Sequence, residues 1–141
     1  MSELRYRYLK ISVDQGVLIL TLSPSRLEGD SIAHTLTEEM QAAVALAGAD
    51  KVVFNLEHVQ YLTSANFRPF LSLRKHLLEK GGDMVICNLS PPVLDIFQIT
   101  RLVRTTGSAT VVFEHQPDVA SAVAFLLRAK ELAAAQEPRT K

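Results

Sequence analysis

A single cysteine, Cys87, serves all 141 residues, so neither an intrachain disulfide nor a thiolate-built metal cage is available. Neither sign of charge is in excess, with 15 Lys plus Arg against 15 Asp plus Glu. That balance argues against nucleic acid or anionic lipid as the main partner, because both are held chiefly by surplus positive charge. No apolar run approaches the ~20 residues that span a bilayer. The opening MSELRYRYLK has no apolar core of a secretory signal. The expectation is a cytoplasmic protein without a membrane partner. Glycine and proline number six each, and no low-complexity linker or internal repeat marks a second domain.

What is present suits one globular domain over 1–141: 48% of residues are hydrophobic and 21% charged. A chain near this length buries roughly two-thirds of its unfolded surface. Leu9, Ile11 and Val13 alternate with Tyr8, Lys10 and Ser12, the period of an edge strand with one wet face. Asp14-Gln15-Gly16 signals a turn into VLILTL (17–22), apolar on both faces as a covered central strand would be. A helix capped by Asp30 or Ser31 carries Ile32, Leu36, Met40, Ala43, Val44 and Ala47 at helical spacing and stops at Gly48. KVVFNL (51–56) reads as a buried strand. The next helix, over 67–78, places Phe67, Phe70, Leu71, Leu77 and Leu78 on one stripe, and Gly81-Gly82 ends it.

DMVICNL (83–89) is a further strand. Ser90 then caps a helix that begins with Pro91-Pro92, where missing N–H groups cost little. TVVFE (110–114) is the last strand. From QPD (116–118) a final helix turns Val119, Val123, Leu126 and Leu127 inward, and the tail over about 129–141 is partly helical and then frayed. The order β-β-α-β-α-β-α-β-α predicts an α/β fold: a mixed, mostly parallel sheet of about five strands, with helices packed on it and a core over about 8–127.

The signatures of common catalytic sites are missing: no G-x-G-x-x-G, G-x-x-x-x-G-K-[ST], H-E-x-x-H or G-x-S-x-G occurs. His34, His58, His76 and His115 lie on different elements without metal-ligand spacing. Cys87 falls inside a buried strand and reads as a small core hydrophobe. Glu57, His58 and Asp95 are acid–base types with nothing in the sequence to gather them. No cofactor, metal or catalytic residue is expected.

One stretch, YLTSANFRP (61–69), sets two adjacent hydroxyls where a strand hands over to a helix. Capping is the plain reading of Thr63, Ser64 and Asn66, since each type accepts hydrogen bonds from free helix N–H groups. Pro69 favours Asn66 as the cap, because proline then falls in the first turn, and it leaves Thr63-Ser64 in the preceding loop. A phosphate on Ser64 would add about −1.5 to −2 charges beside the positive end of a helix dipole. Such a group would be tolerated locally while changing the potential a partner meets.

The element order, together with VVFNLEHVQYLTSANFRPFLSLRKHLLEKGGDMVICNLSPPVLDIFQITRL, resembles the STAS domain of bacterial anti-sigma-factor antagonists. The resemblance covers about residues 8–127 and is strongest over 52–102. It implies a STAS-like fold and a non-enzymatic partner switch. An anti-sigma factor of the serine-kinase type binds the unphosphorylated antagonist, phosphorylation reverses the association, and a phosphatase resets it. The family's D-S-[ST]-G-type motif falls on Thr63, Ser64, Ala65 and Asn66, which makes Ser64 the expected phosphoacceptor.

Thr63 stands where the family has aspartate, Ala65 where it has a second hydroxyl, and Asn66 where it has glycine. A non-phosphorylated scaffold subunit is therefore the second reading, and a small-ligand binder using the crevice at the strand carboxyl ends the third. The resemblance implies a docking face of Thr63, Asn66, Arg68, Phe97 and Arg101. Association with a second copy of the chain stays open.

Overall fold

A computed structural model describes residues 6–99 and 113–136 of the chain, with the backbone alone at 64, 99 and 129–136. Strands β1 (Leu9–Asp14) and β2 (Val17–Leu22) form the expected hairpin, in register from Leu9 opposite Leu22 to Asp14 opposite Val17. Gln15 and Gly16 both have positive φ, 53° and 82°. A two-residue turn of that handedness follows the natural twist of the flanking strands.

After β2 the chain makes a two-residue strand, β3 (Arg26–Leu27), and helix α1 (Asp30–Ala47). Strand β4 (Lys51–Asn55) and a second two-residue strand, β5 (Tyr61–Leu62), come next. A 3₁₀ turn over Ser64–Phe67 leads without a break into α2 (Arg68–Glu79). Strand β6 (Asp83–Cys87), α3 (Pro91–Ile99), β7 (Glu114–Gln116) and α4 (Val119–Gln136) complete the order. The main sheet runs β1-β2-β4-β6-β7, parallel except for β1, while β3 and β5 pair as a separate parallel ribbon. The expected mixed sheet of five strands is therefore the one observed. The ribbon was not legible, because two residues are too few to show a period.

Alternation along each central strand divides two cores. Leu18, Leu20, Leu22, Val52, Phe54, Met84 and Ile86 face one layer with side chains from α1, α2 and α3. Val17, Ile19, Val53, Val85 and Cys87 face the other, against Ala122, Val123 and Leu126 of α4. Phe54, Phe70, Phe97 and Phe113 meet edge to face at the centre of the first layer, with centroids 5.1–6.5 Å apart. Such rings bury large area and add directional attraction. Strand order advances in one direction from β2 to β7, so α1, α2 and α3 share a face. The order reversal that opens a ligand crevice in doubly wound sheets is absent from it.

Several local expectations are corrected. Of the alternating residues on β1 only Leu9 is buried; Ile11 and Val13 are 39% and 63% exposed, because among the described residues the sheet ends there. Gly29, not Asp30 or Ser31, precedes the first turn of α1, at φ 92° and without a side-chain cap. Ala47 is exposed, and Ala33 lies on the buried stripe in its place. On α2 the buried stripe is Phe70, Leu73 and Leu77, while Leu71 and Leu78 face outward. Phe70, Leu73 and Leu77 keep the 3.6 period, and Leu71 and Leu78 fall at the rim of that stripe, where solvent reaches them. Of the expected last strand TVVFE (110–114), residues 110–112 lie outside the described residues; Phe113 makes a bridge, and the described strand runs Glu114–Gln116, two residues beyond the expected end.

Gly81-Gly82 does end α2, each glycine for its own reason. Gly81 takes φ 80°, and a Cβ on Gly82 would collide with the Asp50 carbonyl oxygen. At the other end of the chain, the Asp118 carboxylate accepts from the Ser121 N–H at 2.8 Å and so caps α4. That bond holds the Asp118 carboxyl below its ordinary range.

Candidate functional site

The TSANFRP corner is built by β3, β5, the 3₁₀ turn and the starts of α1 and α2. Parallel pairing of Arg26 with Tyr61 and Leu27 with Leu62 carries the chain to Thr63, whose N–H donates to the Leu27 carbonyl at 3.0 Å. Thr63 is extended (φ −96°, ψ 166°) and precedes the turn; Ser64 is its first residue rather than part of a loop. The Thr63 carbonyl accepts from the Asn66 N–H at 2.9 Å, closing the i→i+3 ring. Pro69 then takes an early position in α2, where an N–H is dispensable.

Asn66 is not the helix cap. Its Nδ2 donates to the Gly29 carbonyl at 3.3 Å and to Thr63 Oγ1 at 3.2 Å, and the residue is fully buried. This amide pins the first residue before α1 to the first residue before the turn. Among the described side chains its Oδ1 has no hydrogen-bond partner. A surface role for Asn66 is thereby corrected, since what reaches it is its own fold. Phe97 is corrected likewise: it is fully buried in the aromatic cluster, with Phe67 at 5.1 Å. Arg101 lies outside the described residues, and of Ser64 only the backbone is described.

Two of the sequence candidates are accessible. Thr63 is half-buried, and the Arg68 side chain is 67% exposed. Arg68 Nη2 donates to Asp30 Oδ1 at 3.0 Å, an exposed ion pair between the starts of α2 and α1. Beside it lies an open depression of about 350 Å³ lined by Asp30, Ala33, His34, Thr37 and Arg68. Along the ribbon, the Arg26 guanidinium stands 4.5 Å from the centre of the Tyr61 ring, and its Nε donates to Glu28 Oε2 at 2.7 Å. That bond holds the Glu28 carboxyl below its ordinary range. Arg26, Glu28, Asp30 and Tyr61 were missed from sequence. Tyr61 had a readable signal, as an aromatic residue out of phase with buried Leu62.

A second strand-to-helix corner lies at the ends of β4 and β6. Asn55 Nδ2 reaches Glu57 Oε1 at 3.0 Å and Thr21 Oγ1 at 3.4 Å, and its Oδ1 accepts from Asn88 Nδ2 at 2.9 Å and the Glu57 N–H at 3.2 Å. The Ser90 hydroxyl, expected to cap α3, donates instead to the Val59 carbonyl at 3.2 Å. His58 Nε2 lies 3.6 Å from Glu57 Oε2 on an exposed turn. Cys87 is buried next to this network, and burial pushes its thiol up to about 12. Among the described residues no three His, Cys, Asp or Glu side chains converge on a metal position.

Residues 8–122 match the STAS domain, and the chain belongs to that family. It is 29% identical over 91 residues to the anti-sigma F factor antagonist of Paenibacillus polymyxa, covering 62% of this chain and 74% of the relative. Its fold is similar to that of a candidate anti-sigma factor antagonist of Thermotoga maritima, with a TM-score of 0.70 at 16% identity, covering 85% and 95% of the two chains. It is also similar to SpoIIAA, an anti-sigma factor antagonist in its unphosphorylated form, with a TM-score of 0.59 at 14% identity, covering 85% and 97%. Among the described residues no helix is long and apolar enough to cross a membrane.

Proposed function

We propose that this STAS domain is an anti-sigma-factor antagonist that works by exchanging protein partners at the TSANFRP corner, with Ser64 as the phosphorylated hydroxyl. The observation that carries the reading is the placement of Ser64 at the first residue of a helical turn, next to the exposed Arg68–Asp30 pair and the depression between α1 and α2. Membership of the STAS family and likeness to an anti-sigma F factor antagonist support an anti-sigma factor as the partner; in this reading that partner is of the serine-kinase type, and a phosphatase resets the switch. The exposed surface there, with Arg26, Tyr61 and Arg68, has the residue types that dominate binding energy at protein interfaces.

Charge supplies the switch. Residue 64 opens the 3₁₀ turn and residue 68 opens α2, four positions later. A phosphate on Ser64 would carry about −1.5 to −2 charges and compete with the single charge of Asp30 for the Arg68 guanidinium. Arg68 would turn from α1 toward the phosphate, and the partner would meet a reversed local potential. The test is to incubate the chain with its anti-sigma kinase and ATP, map phosphate by mass spectrometry, and compare Ser64→Ala with Ser64→Asp in partner binding. The reading expects label on Ser64 and partner loss only in Ser64→Asp. Unlabelled Ser64 with equal binding by both variants sinks it.

A second reading, a constitutive interaction subunit, is favoured by one observation. Buried Asn66, standing where the family has glycine, ties the turn to Gly29 and stiffens the corner that a switch would move. That subunit would remain in a native complex on addition of ATP, and the same experiment separates the two.

A further inference from the structure

We propose that two copies of this chain associate through their β1 strands, edge to edge and antiparallel, with Ser12 of each copy at the two-fold axis. Among the described residues strand β1 ends the sheet, and from Lys10 to Asp14 every residue on it is exposed. The phase of its backbone is set by the hairpin. Tyr8 accepts from the Ser23 N–H at 2.9 Å, and Asp14 pairs with Val17 across the two-residue turn. Residues 8, 10, 12 and 14 therefore direct their main-chain groups toward β2, while Leu9, Ile11 and Val13 direct theirs outward. Those outward N–H and C=O groups form an open template for another strand.

The sequence LKISVD is self-complementary on that template. With Ser12 facing Ser12, Ile11 of one copy lies opposite Val13 of the other, twice, and these are the residues whose main-chain groups point outward. The two Ile11–Val13 pairs exchange ladder hydrogen bonds and join four apolar side chains that are exposed in the single chain. On the opposite face the same register places Lys10 against Asp14 of the second copy, also twice. These are non-hydrogen-bonded positions, where facing side chains approach closest. Neither Lys10 nor Asp14 pairs with another described side chain. Hydrogen-bond phase, apolar matching and charge matching thus select one register, and shifting it by two residues sets Lys10 against Ser12 instead.

The edge is separate from the Ser64 corner. Asp14 pairs with the first residue of β2, while that corner follows the opposite end of the parallel strands. The dimer leaves the corner open and does not depend on the proposed switch. A single strand pair is a small interface, of the weak and reversible class.

Sedimentation equilibrium of the full chain from about 10 μM to about 1 mM at low salt reads the association directly. The expected result is a monomer–dimer equilibrium weakened about tenfold or more by Lys10→Asp or Asp14→Lys and restored by the two together. Amide exchange at Ile11 and Val13 slows as concentration rises. Val13→Pro removes one outward N–H and abolishes association while circular dichroism stays unchanged, since edge positions tolerate proline. A monomer over the whole range overturns the proposal. So does a dimer equally tight in the single and double charge variants, which would place the contact elsewhere.

Discussion

The two strand-to-helix corners of this STAS domain are close in composition and differ in construction. Each sets a serine and a proline at the start of a helix, Ser64 with Pro69 and Ser90 with Pro91. At the second corner, Asn55 satisfies all its polar groups within the fold, and the Ser90 hydroxyl is turned onto the Val59 carbonyl. At the first, one buried amide ties the backbone together while Arg68, Asp30 and Tyr61 remain on the surface. Sequence motifs for capping and for signalling therefore overlap. What separates them is whether side-chain hydrogen bonds are used up inside the chain or displayed outside it.

The comparison can be broken at its shared base first. Phe70 contacts Phe54, Phe97 and Phe113 beneath both corners, and Phe70→Ala should lower stability by about 3–5 kcal/mol, read as a fall in the denaturant midpoint. Next comes the closed corner. Asn55→Ala strands the Asn88 amide and the Glu57 N–H together and should cost roughly 2–3 kcal/mol by the same measurement. A cost below that of Asn66→Ala would reverse the ranking of the corners.

Cys87, beside the closed corner, provides a pH test. Its thiol rises from 9.0 to about 12 through burial first, then through the charges of Asp118 and Glu57. Between those values the unfolded chain releases a proton that the native chain keeps, so stability falls as pH rises. One unit above 9.0 the loss should be about 1.4 kcal/mol, taken as the difference between the parent and Cys87→Ala slopes.

At the open corner the effects shrink. Asn66→Ala frees the Gly29 carbonyl and Thr63 Oγ1 but also removes an unpartnered buried oxygen, so about 1 kcal/mol is expected in thermal unfolding. Smallest is the Arg68–Asp30 pair, both of whose side chains are largely exposed. A double-mutant cycle should give below about 0.5 kcal/mol of stability coupling, whereas Arg68→Ala should weaken partner binding about tenfold or more. Coupling of several kcal/mol would make the pair architectural and the corner less of a docking face.

Much of this was legible before any coordinates. Long apolar runs such as VLILTL and DMVIC announce covered central strands because both of their faces must be filled. Gly48 and Gly81 mark helix ends because left-handed backbone excludes most side chains. The candidate site was legible only in part: Arg68 is exposed at the corner, while Asn66 and Phe97 were assigned to a docking face and are interior. Asn66 reads as a surface cap because the type commonly is one. Its burial depends on a partner carbonyl 37 residues earlier, at Gly29, which no local pattern contains.

The chain by itself determined which segments become strands and helices, and hence a mostly parallel sheet, because hydrophobic period and backbone allowance act over a few residues. Tertiary structure alone decided which apolar residues are covered and which polar ones are enclosed. Ile11, Val13, Leu71 and Leu78 are as apolar as their buried neighbours, but they lie where no other described layer covers them. Burial is a property of what arrives from elsewhere in the chain, and that is settled only when the sheet order and the helix faces are in place.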